Sequence, residues 1–546
     1  MPTRTASTAL STPQDTLLGR LTEAQRRSSG TPYSSGFSLL GGADAAFSSR
    51  LALVEKATQT LDLQYYAIHA DPSTARLLEA IVQAAQRGVR VRVLLDDFHG
   101  AGKNAQVMRL AFVPGVEMRM FNPLTGPRGS TVIRALSTLA DFQRAQQRMH
   151  NKLFIADNSI GITGGRNLGD AYFDALDSDN FIDLDVMATG HAVQQLSASF
   201  DRYWNDSRAY PVSALISEEA LLQLRPTPTE THATSAETRH NAIQASKVAT
   251  LAPMDIGAVP WIWAPSLVLA DTPSKIPPPP EDHTDAAPAH AESIEHGRLL
   301  PLPPQNAVTS RSSTPNRQAL RDAIAPVASQ ENVVNGLLAL IDQATTDVLI
   351  VSPYFVPGAD MKKAFARALA RGVRIRILTN SLASNDAPLA HAGYARHRKE
   401  LLGDGVILYE LRSVQDGKAD TLTVRNTARS ITGSQGKSRA MLHSKMLVLD
   451  HKLTVIGSMN LDMRSQLQNT EIALLIASRQ LAQEATENIE ASLNEAAWKV
   501  DLTPEGLVWR APPHSDWGDQ TSEPDASLPL RMMIRIIGPL APDHLL

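Results

Sequence analysis

Two short segments of the chain carry the same residue types at the same spacing, and those types suit chemistry at a phosphate. The first segment reads His-x-Lys, then Asp, then Gly-Gly-x-Asn; the second reads His-x-Lys, then Asp, then Gly-Ser-x-Asn. Each residue of the second set lies 293 positions after its counterpart. The matched residues are His150, Lys152, Asp157, Gly165 and Asn167 in the first set, and His443, Lys445, Asp450, Ser458 and Asn460 in the second. This duplication predicts one shared site built by two similar halves of the chain.

The two histidines and two lysines could together exchange one phosphodiester bond for another. A neutral imidazole can attack phosphorus and form a covalent intermediate. A second imidazole can protonate the leaving alcohol and later deprotonate the incoming one. The lysines, the two asparagines, the serine hydroxyl and the glycine-rich backbone could stabilise charge on the non-bridging oxygens without a metal ion. We therefore expect a phosphate site that uses neither a metal nor a cofactor.

An acidic residue should hold each imidazole in one tautomer, because a histidine reacts through one ring nitrogen while the other is hydrogen-bonded. Asp183 and Glu471, downstream of the two motifs, are the candidates. The sequence leaves open whether each carboxylate contacts the histidine of its own half or of the opposite half. Asp157 and Asp450 are also assigned to the catalytic set by their matched spacing, although their position is typical of a hairpin turn.

The segments that surround the motifs repeat as well, in an order that alternates strands with helices. In the first half the pattern predicts strands at 61–66 and 88–95 and a helix at 75–87; in the second half it predicts strands at 348–352 and 372–378 and a helix at 361–371. Such alternation favours α/β units with parallel strand pairs. Each His-x-Lys pair lies in a predicted strand, where residues two apart share a face. Both side chains of a pair can therefore point into one pocket.

The 546 residues are sufficient for two lobes with separate cores. The expected organisation is a disordered N-terminal tail at 1–35, a first lobe at 36–225, a Pro-rich linker at 226–325 with an ordered strand near 261–271, a second lobe at 326–512 and a C-terminal tail at 513–546. In the C-terminal tail, Arg531 and Arg535 lie among apolar residues. This pattern predicts a short amphipathic helix that either lies on anionic lipid or packs against the protein.

The composition disfavours several classes of protein. A net charge of −4 and an aromatic content of 5% are unlike those of a protein that holds nucleic acid on a large basic surface. The absence of cysteine excludes disulfides and a thiol nucleophile. No stretch approaches the ~18 consecutive apolar residues of a transmembrane helix. We expect a cytoplasmic protein that binds no nucleic acid.

The duplicated motif resembles the signature of the phospholipase D superfamily, and the Asn-Thr-Glu at 469–471 is similar to it too. Within that superfamily the chain is most similar to the C-type branch of bacterial cardiolipin synthases, from about residue 36 to the C-terminus apart from the Pro-rich middle. The stretches that carry this similarity are 148–152, 164–170, 172–173, 183–186, 200–204 and 528–537.

The resemblance implies two phospholipase D-like lobes, each a mixed sheet flanked by helices, with pseudo-two-fold symmetry and the active site at their interface. It implies transfer of a phosphatidyl group to phosphatidylglycerol through a phosphohistidine intermediate, which yields cardiolipin. His150 would be the nucleophile and His443 the general acid and base, although the similarity of the two motifs leaves the reverse order open. The implied substrates are phosphatidylglycerol and, as a second candidate donor, phosphatidylethanolamine. The implied location is peripheral, on the inner face of the bacterial cell membrane.

Three other functions are compatible with the same residues. They are hydrolysis of phospholipids to phosphatidic acid, cleavage of nucleic acid by a nuclease of the same superfamily, and a scaffold without activity. The acidic charge balance disfavours the nuclease, and the two intact motifs disfavour the scaffold. Hydrolysis and transfer are not distinguished, because the choice of acceptor depends on the pocket walls and on exclusion of water.

Overall fold

The computed structural model describes residues 4–124, 126, 128, 142–173, 179–223, 250–277, 327, 330–415, 438–540 and 542–543. The strands are β1 (Ser35–Gly41), β2 (Thr60–Tyr65), β3 (Arg90–Asp96), β4 (Val116–Phe121), β5 (Leu153–Ala156), β6 (Ile160–Gly164), β7 (Asp179–Ile182), β8 (Leu184–Gly190), β9 (Ala209–Pro211), β10 (Ile262–Trp263), β11 (Ser266–Ala270), β12 (Asp347–Val351), β13 (Phe355–Val356), β14 (Arg374–Asn380), β15 (Ile407–Leu411), β16 (Val414–Gln415), β17 (Ser438–Leu442), β18 (Met446–Leu449), β19 (Leu453–Gly457), β20 (Leu461–Asp462), β21 (Ile472–Ala477), β22 (Ala497–Thr503) and β23 (Gly506–Arg510). The α-helices are α1 (Leu17–Ser28), α2 (Ala43–Lys56), α3 (Pro72–Gln86), α4 (Phe142–Gln146), α5 (His191–Trp204), α6 (Glu218–Gln223), α7 (Val333–Gln343), α8 (Ala359–Ala370), α9 (Pro388–Asp404), α10 (Met463–Leu467), α11 (Arg479–Glu495) and α12 (Leu528–Ile537).

Two large mixed sheets form the framework, and their strands follow the same order. The first sheet runs β10-β1-β8-β6-β5-β2-β3-β4-β9, and the second runs β11-β21-β19-β18-β12-β14-β15-β22-β23. In each sheet three neighbouring strands are parallel, β2-β3-β4 and β12-β14-β15, and the motif strand, β5 or β18, pairs antiparallel with the first of them. The predicted pair of α/β lobes with a repeated order of elements is confirmed.

A continuous hydrophobic core joins the two lobes. Each sheet packs one face against its own helices, α2 and α3 in the first lobe and α7 and α8 in the second. The remaining apolar side chains of both sheets form one shared cluster, which includes Val186 and Leu196 of the first lobe and Leu474 and Ile489 of the second, all fully buried. Burial of this surface favours close association of the lobes because apolar area leaves water. The site at their interface is therefore held by packing on both sides.

The predicted strand near 261–271 is present as two short strands that belong to different sheets. Strand β10 pairs with β1 of the first lobe, while β11 pairs with β21 of the second lobe. β11 thus takes the place in the second sheet that β1 takes in the first. Directly after β11, the Asp271 carboxylate accepts hydrogen bonds from the backbone N–H groups of Val333 and Glu471. Apart from 250–277, the predicted linker at 226–325 lies outside the described residues.

The N-terminal segment is ordered from residue 4, whereas the sequence predicts a disordered tail at 1–35. Thr16 caps α1 by accepting from the backbone N–H of Gly19, and Leu18 is fully buried in the first core. Before the helix, the Arg4 guanidinium donates to the carbonyls of Asp206 and Ala209. The polar composition of the segment conceals these anchors, because a helix cap, one buried leucine and hydrogen bonds to distant segments leave little trace in composition.

Candidate active site

His150 and His443 each precede a motif strand, and the opposite lobe fixes both of them at the backbone. The N–H of His150 donates to the carbonyl of Thr470 at 3.0 Å. The N–H of His443 donates to the carbonyl of Ile182 at 2.8 Å, where β17 lies parallel to β7 of the first lobe. Main-chain pairing therefore crosses the interface at both histidines, so the two motifs meet in one cleft.

Each imidazole is held by a carboxylate from the other lobe. Nδ1 of His150 lies 2.9 Å from Glu471, and Nδ1 of His443 lies 2.8 Å from Asp183. Both carboxylates are almost completely buried. An Nδ1–H that donates to a carboxylate leaves Nε2 as the reactive nitrogen. The question that the sequence leaves open is thus answered by the geometry: the carboxylate contacts cross between the halves.

The two lysines place their charge close to both histidines. Nζ of Lys152 donates to the carbonyl of His150 at 2.9 Å, and Nζ of Lys445 donates to the carbonyl of His443 at 2.6 Å. Burial lowers the pKa of Lys152 to about 7, with a further contribution from Lys445, and burial lowers the pKa of Lys445 to about 8. Two ammonium groups that are held apart from water and close to each other would bind an anion strongly.

Both histidines are neutral near pH 7. Burial, followed by the charges of Lys152 and Lys445, holds the pKa of His150 well below its ordinary value of 6.5. Burial and Lys445 lower the pKa of His443 to about 4, although Asp183 acts in the opposite direction. Each lysine acts on the histidines of both halves, which is the electrostatic signature of a single shared site.

The two orienting carboxylates differ in their surroundings. Burial raises the pKa of Glu471 to about 7, even though the hydroxyl groups of Ser458 and Ser465 both donate to this carboxylate. Burial alone would raise the pKa of Asp183 as well, but the hydrogen bond and charge of His443 bring it below its ordinary value. Asp183 therefore stays ionised to lower pH than Glu471 does. It can stabilise a positive charge on His443 better than Glu471 can stabilise one on His150.

The small residues of the motifs pack around the two orienting carboxylates. A Cβ at Gly165 would lie 2.7 Å from Oδ1 of Asp183 and 2.7 Å from the carbonyl oxygen of His443. Only glycine fits at this position, because the Asp183 carboxylate and the carbonyl of His443 from the opposite lobe leave no room for a Cβ. The hydroxyl of Ser458 donates to Glu471. Both residues thus support the orienting carboxylates. The hydroxyl and the N–H of Ser458 are both engaged within the protein, which corrects the prediction that this residue binds the phosphate. For the backbone of Gly165, phosphate binding stays a prediction.

The two motif asparagines are used differently. Nδ2 of Asn167 donates to the hydroxyl of Tyr172 at 2.9 Å, and its Oδ1 accepts from the N–H of Ala67 at 3.3 Å. Asn167 therefore connects two segments of the first lobe. Asn460 is also buried, and its Oδ1 has no hydrogen-bond partner among the described residues. A buried acceptor without a partner is costly, but it does not show what the side chain faces, so the assignment of Asn460 to the phosphate stays a prediction.

Asp157 and Asp450 lie away from the histidines, so their assignment to the catalytic set is corrected. Each follows a four-residue strand that places it about 13 Å from the histidine end. Their carboxylates accept backbone N–H groups at 58–60 and 345–347, respectively. Both residues adopt left-handed φ values, 54° and 52°, in the tight turns that follow β5 and β18. They fasten the start of the neighbouring parallel strand, which is a structural role.

Aromatic side chains surround both imidazoles, and the two motifs do not predict most of them. The ring centroid of Tyr66 lies 5.2 Å from that of His150, and the ring of Tyr172 lies 5.3 Å from that of His443. Tyr66 directly follows the parallel strand β2, and His99 lies shortly after the parallel strand β3. Ligands of α/β sheets bind beyond the carboxyl ends of such strands. Applied to the predicted strands, that rule could have identified this wall of the site.

Neither a membrane-spanning helix nor a metal-binding group occurs in the part of the chain that the structure describes. Every helix there is too short or too polar to cross a bilayer. No group of three or more histidine, aspartate and glutamate side chains is placed to hold a metal ion within the same residues.

Comparison with known proteins shows which family has a similar sequence. Residues 51–204 and 337–493 match a family model described as cardiolipin synthase, PLD-like domain. The chain is 35% identical over 511 residues to cardiolipin synthase C of Escherichia coli (strain K12), across 92% of this chain and 94% of that protein. It is 25% identical over 468 residues to cardiolipin synthase A of Pseudomonas entomophila (strain L48), across 84% of this chain and 68% of that protein.

A solved structure shares the fold over nearly the whole length. The crystal structure of phosphatidylserine synthase from Haemophilus influenzae Rd KW20 superposes with a TM-score of 0.55, and the match covers 96% of this chain and all of that chain. The two sequences are 12% identical, so this likeness concerns the fold alone.

Proposed function

The chain belongs to the cardiolipin synthase family of phospholipase D-like proteins, and from this premise we propose that it transfers a phosphatidyl group to the hydroxyl of phosphatidylglycerol and so makes cardiolipin. Phosphatidylglycerol is also the first candidate donor, and phosphatidylethanolamine is the second. The observation that supports the proposal most strongly is the pair of crossed histidine–carboxylate contacts, since they build one complete reacting set from two lobes. We assign these lobes to residues 36–225 and 326–512.

In the first step, His150 acts as the nucleophile. Its neutral Nε2 attacks phosphorus while Glu471 holds Nδ1–H. A P–N bond forms and the P–O bond to the donor's headgroup breaks. When the phosphodiester anion binds, Nε2 of His443 takes up a proton from solvent, because the bound anion and Asp183 stabilise the positive charge. The leaving alkoxide takes this proton from Nε2. The products of this step are a phosphatidyl-histidine and a free alcohol.

In the second step, the same groups act in reverse. His443, now neutral, removes the proton from the acceptor's hydroxyl, the oxygen attacks phosphorus, and the P–N bond to His150 breaks. Lys152 and Lys445 compensate the charge of the non-bridging oxygens in both steps, and the Nδ2 amide of the buried Asn460 would donate to the same oxygens. No net proton is consumed when an alcohol is exchanged for an alcohol. Water as the acceptor would give phosphatidic acid.

The assignment of the two roles follows from charge. A nucleophile must be neutral, and the pKa of His150 is held down by burial, two lysines and Arg464. An acid must tolerate a proton, and His443 has the firmer carboxylate, Asp183, which raises its pKa against the effect of burial. The acid-base role therefore falls to His443 and the nucleophilic role to His150.

The reaction can be tested by expressing the protein in bacteria that lack their own cardiolipin synthases and analysing their lipids by mass spectrometry. New cardiolipin is the expected result. The His150→Ala/His443→Ala double variant, expressed to the same level, should give none. Phosphatidic acid without cardiolipin would replace the proposal with hydrolysis.

The nuclease alternative is tested with purified protein and plasmid DNA in EDTA. We expect intact plasmid, because the protein has a net charge of −4 and nucleic-acid binding depends on basic surface. Lipid transfer should persist in the same EDTA buffer, since the two lysines supply the positive charge. Loss of transfer that one divalent metal restores would contradict this mechanism.

We also infer that the protein works as a peripheral protein on the cytoplasmic face of the bacterial inner membrane, docked through α12. One face of this helix is apolar and open to solvent: Leu528 is 65%, Met532 54% and Ile536 67% exposed. Arg535 lies beside them and would meet anionic headgroups. The C-terminal end of the helix is anchored, because Arg396 of α9 donates a hydrogen bond to the carbonyl of Gly538 at 3.2 Å. A fixed helix with an exposed apolar face suits the interface of a bilayer.

Replacing these three apolar residues with serine tests the docking. Co-sedimentation of the triple variant with phosphatidylglycerol-containing vesicles should weaken by roughly tenfold or more, given the apolar area withdrawn from the bilayer. Leu502→Ser is the matched control, since Leu502 is 44% exposed on β22. Unchanged vesicle binding by the triple variant would remove α12 as the docking element.

A further inference from the structure

A row of rings connects the two reacting histidines along one wall of the cleft. The ring centroids of Tyr66 and His99 are 5.0 Å apart, those of His99 and His69 are 5.7 Å apart, and those of His69 and Tyr172 are 6.3 Å apart. Tyr66 contacts the nucleophile's ring and Tyr172 contacts the ring of the acid-base histidine. The middle of this wall is the imidazole pair, His69 and His99, which has no part in the steps described above.

The imidazole pair breaks the symmetry of the site. In the register that relates the two lobes, the position of His69 is taken by the buried Val356, and the position of His99 after its strand is taken by Ala383. Neither replacement has a polar side chain. A duplicated framework thus carries two imidazoles in the first lobe and apolar groups at the matched positions of the second lobe. Such a difference can distinguish the substrate that binds on one side from the substrate that binds on the other.

The chemistry of the pair suits hydroxyl groups. Burial, together with His69 and Lys152, lowers the pKa of His99 to about 4, so this ring is neutral under ordinary conditions. A neutral imidazole offers one N–H donor and one acceptor nitrogen, the same combination that a hydroxyl presents. The side-chain amide of Asn104 lies 3.3 Å from Nδ1 of His69 and orients that ring. Both rings are half-buried.

We propose that His69 and His99 bind the free hydroxyl groups of the acceptor's glycerol headgroup, and that they thereby favour a polyol over water in the second step. This inference rests on the proposed transfer reaction, because that reaction requires an acceptor with a hydroxyl next to the one that reacts. Hydrogen bonds to the neighbouring hydroxyl would hold the acceptor with its reacting oxygen at the phosphorus, while a water molecule gains nothing from the pair.

A partition experiment isolates this step. The full-length protein is given phosphatidylglycerol vesicles with either deuterium-labelled glycerol or 1-propanol in the buffer, and mass spectrometry measures the labelled phosphatidylglycerol or the phosphatidylpropanol relative to phosphatidic acid. Because both products arise from one intermediate, the ratio reports acceptor choice and is independent of the amount of active protein. The variants are His69→Ala and His99→Ala, with His99→Gln to retain a hydrogen-bonding side chain. His191→Ala is the control, since His191 lies at the end of β8 remote from Asp183.

The glycerol-to-water ratio should fall roughly fivefold in each alanine variant, the effect of one lost hydrogen bond. The propanol-to-water ratio should change less than about twofold, because propanol has no second hydroxyl to lose. His99→Gln should recover part of the glycerol preference. Unchanged ratios in both alanine variants, or an equal fall for both alcohols, would overturn the inference while leaving transfer intact. A wild-type protein that forms only phosphatidic acid with every alcohol would overturn the proposed function and this inference together.

Discussion

The two lobes share a strand order, a His-x-Lys pair and a crossed carboxylate, yet their histidines lie in different electrostatic surroundings. The carboxylate beside His443 is a firm anion, because its histidine lowers the pKa of Asp183. The carboxylate beside His150 is Glu471, whose pKa burial raises to about 7. Duplication therefore supplies the symmetric geometry that brings two imidazoles into one cleft, and in the proposed mechanism the local differences divide the roles of nucleophile and acid between them.

The largest effects should come from the histidines, and a change of leaving group should separate their roles. His150→Ala and His443→Ala should each lower kcat/KM for lipid transfer by roughly a thousandfold or more. With a p-nitrophenyl phosphodiester, whose leaving group needs no proton, His443→Ala should recover formation of the covalent intermediate. His150→Ala should not recover. Equal recovery by both variants, or near-normal transfer by either, would contradict the division of roles.

The carboxylates should have the next largest effects. Asp183→Asn and Glu471→Gln keep shape but weaken the hold on Nδ1–H, so each should lower kcat roughly a hundredfold through misorientation of the imidazole. Asp183→Asn should also make the rate more sensitive to the leaving group, since a protonated His443 loses its anionic partner. A Glu471→Gln variant with the larger sensitivity would reverse the assignment of the two lobes.

The sequence anticipates much of this site because its signals are local. Residues two apart on a strand predict that His150 and Lys152 share a face, and matched spacing predicts a second pair. Spacing cannot show which carboxylate meets which histidine, since the crossed contacts depend on how β7 pairs with β17 of the other lobe. For the same reason, the close approach of Asp183 that requires glycine at 165 is invisible before folding.

Other errors came from residues whose type fits two roles. Asp450 matched the spacing of a catalytic group, but it faces backbone N–H groups at 345–347. The polar N-terminal segment was predicted to be disordered, yet its few anchors, such as Leu18, fit the first core. Composition averages over such anchors, and only tertiary packing reveals them.

The lowered pKa values of the two lysines, one from each lobe, predict that activity falls at alkaline pH. Lysine is charged below its pKa, and burial lowers the pKa of Lys152 to about 7 and that of Lys445 to about 8. kcat/KM should therefore fall as the pH rises through 7 and 8, whereas kcat should fall at higher pH because the bound anion retains the protons. Lys152→Arg should shift the fall of kcat/KM upward, since a guanidinium stays charged. A profile that is flat to high pH would contradict a role for these ammonium groups.

The smallest catalytic effects should come from the aspartates of the turns. Asp157→Ala should lower the free energy of unfolding by about 2–3 kcal/mol, because several buried N–H groups lose their acceptor. Its kcat, measured well below the unfolding temperature, should stay within about threefold of wild type, since the turn lies far from the phosphorus. Asp450→Ala is the comparison in the second lobe, where the partners at 345–346 are exposed and the loss of stability should be smaller. A large loss of kcat in a fully folded Asp157→Ala protein would restore this residue to the catalytic set.

The most direct test of the shared site is to locate the covalent intermediate. The protein is mixed with donor lipid, quenched within the first turnover in alkaline denaturant, which preserves phosphohistidine, and digested for mass spectrometry. The account predicts a phosphatidyl adduct on the peptide that contains His150, with accumulation in His443→Ala when an activated donor is used. An adduct on the peptide that contains His443, or product formation without any adduct, would contradict it.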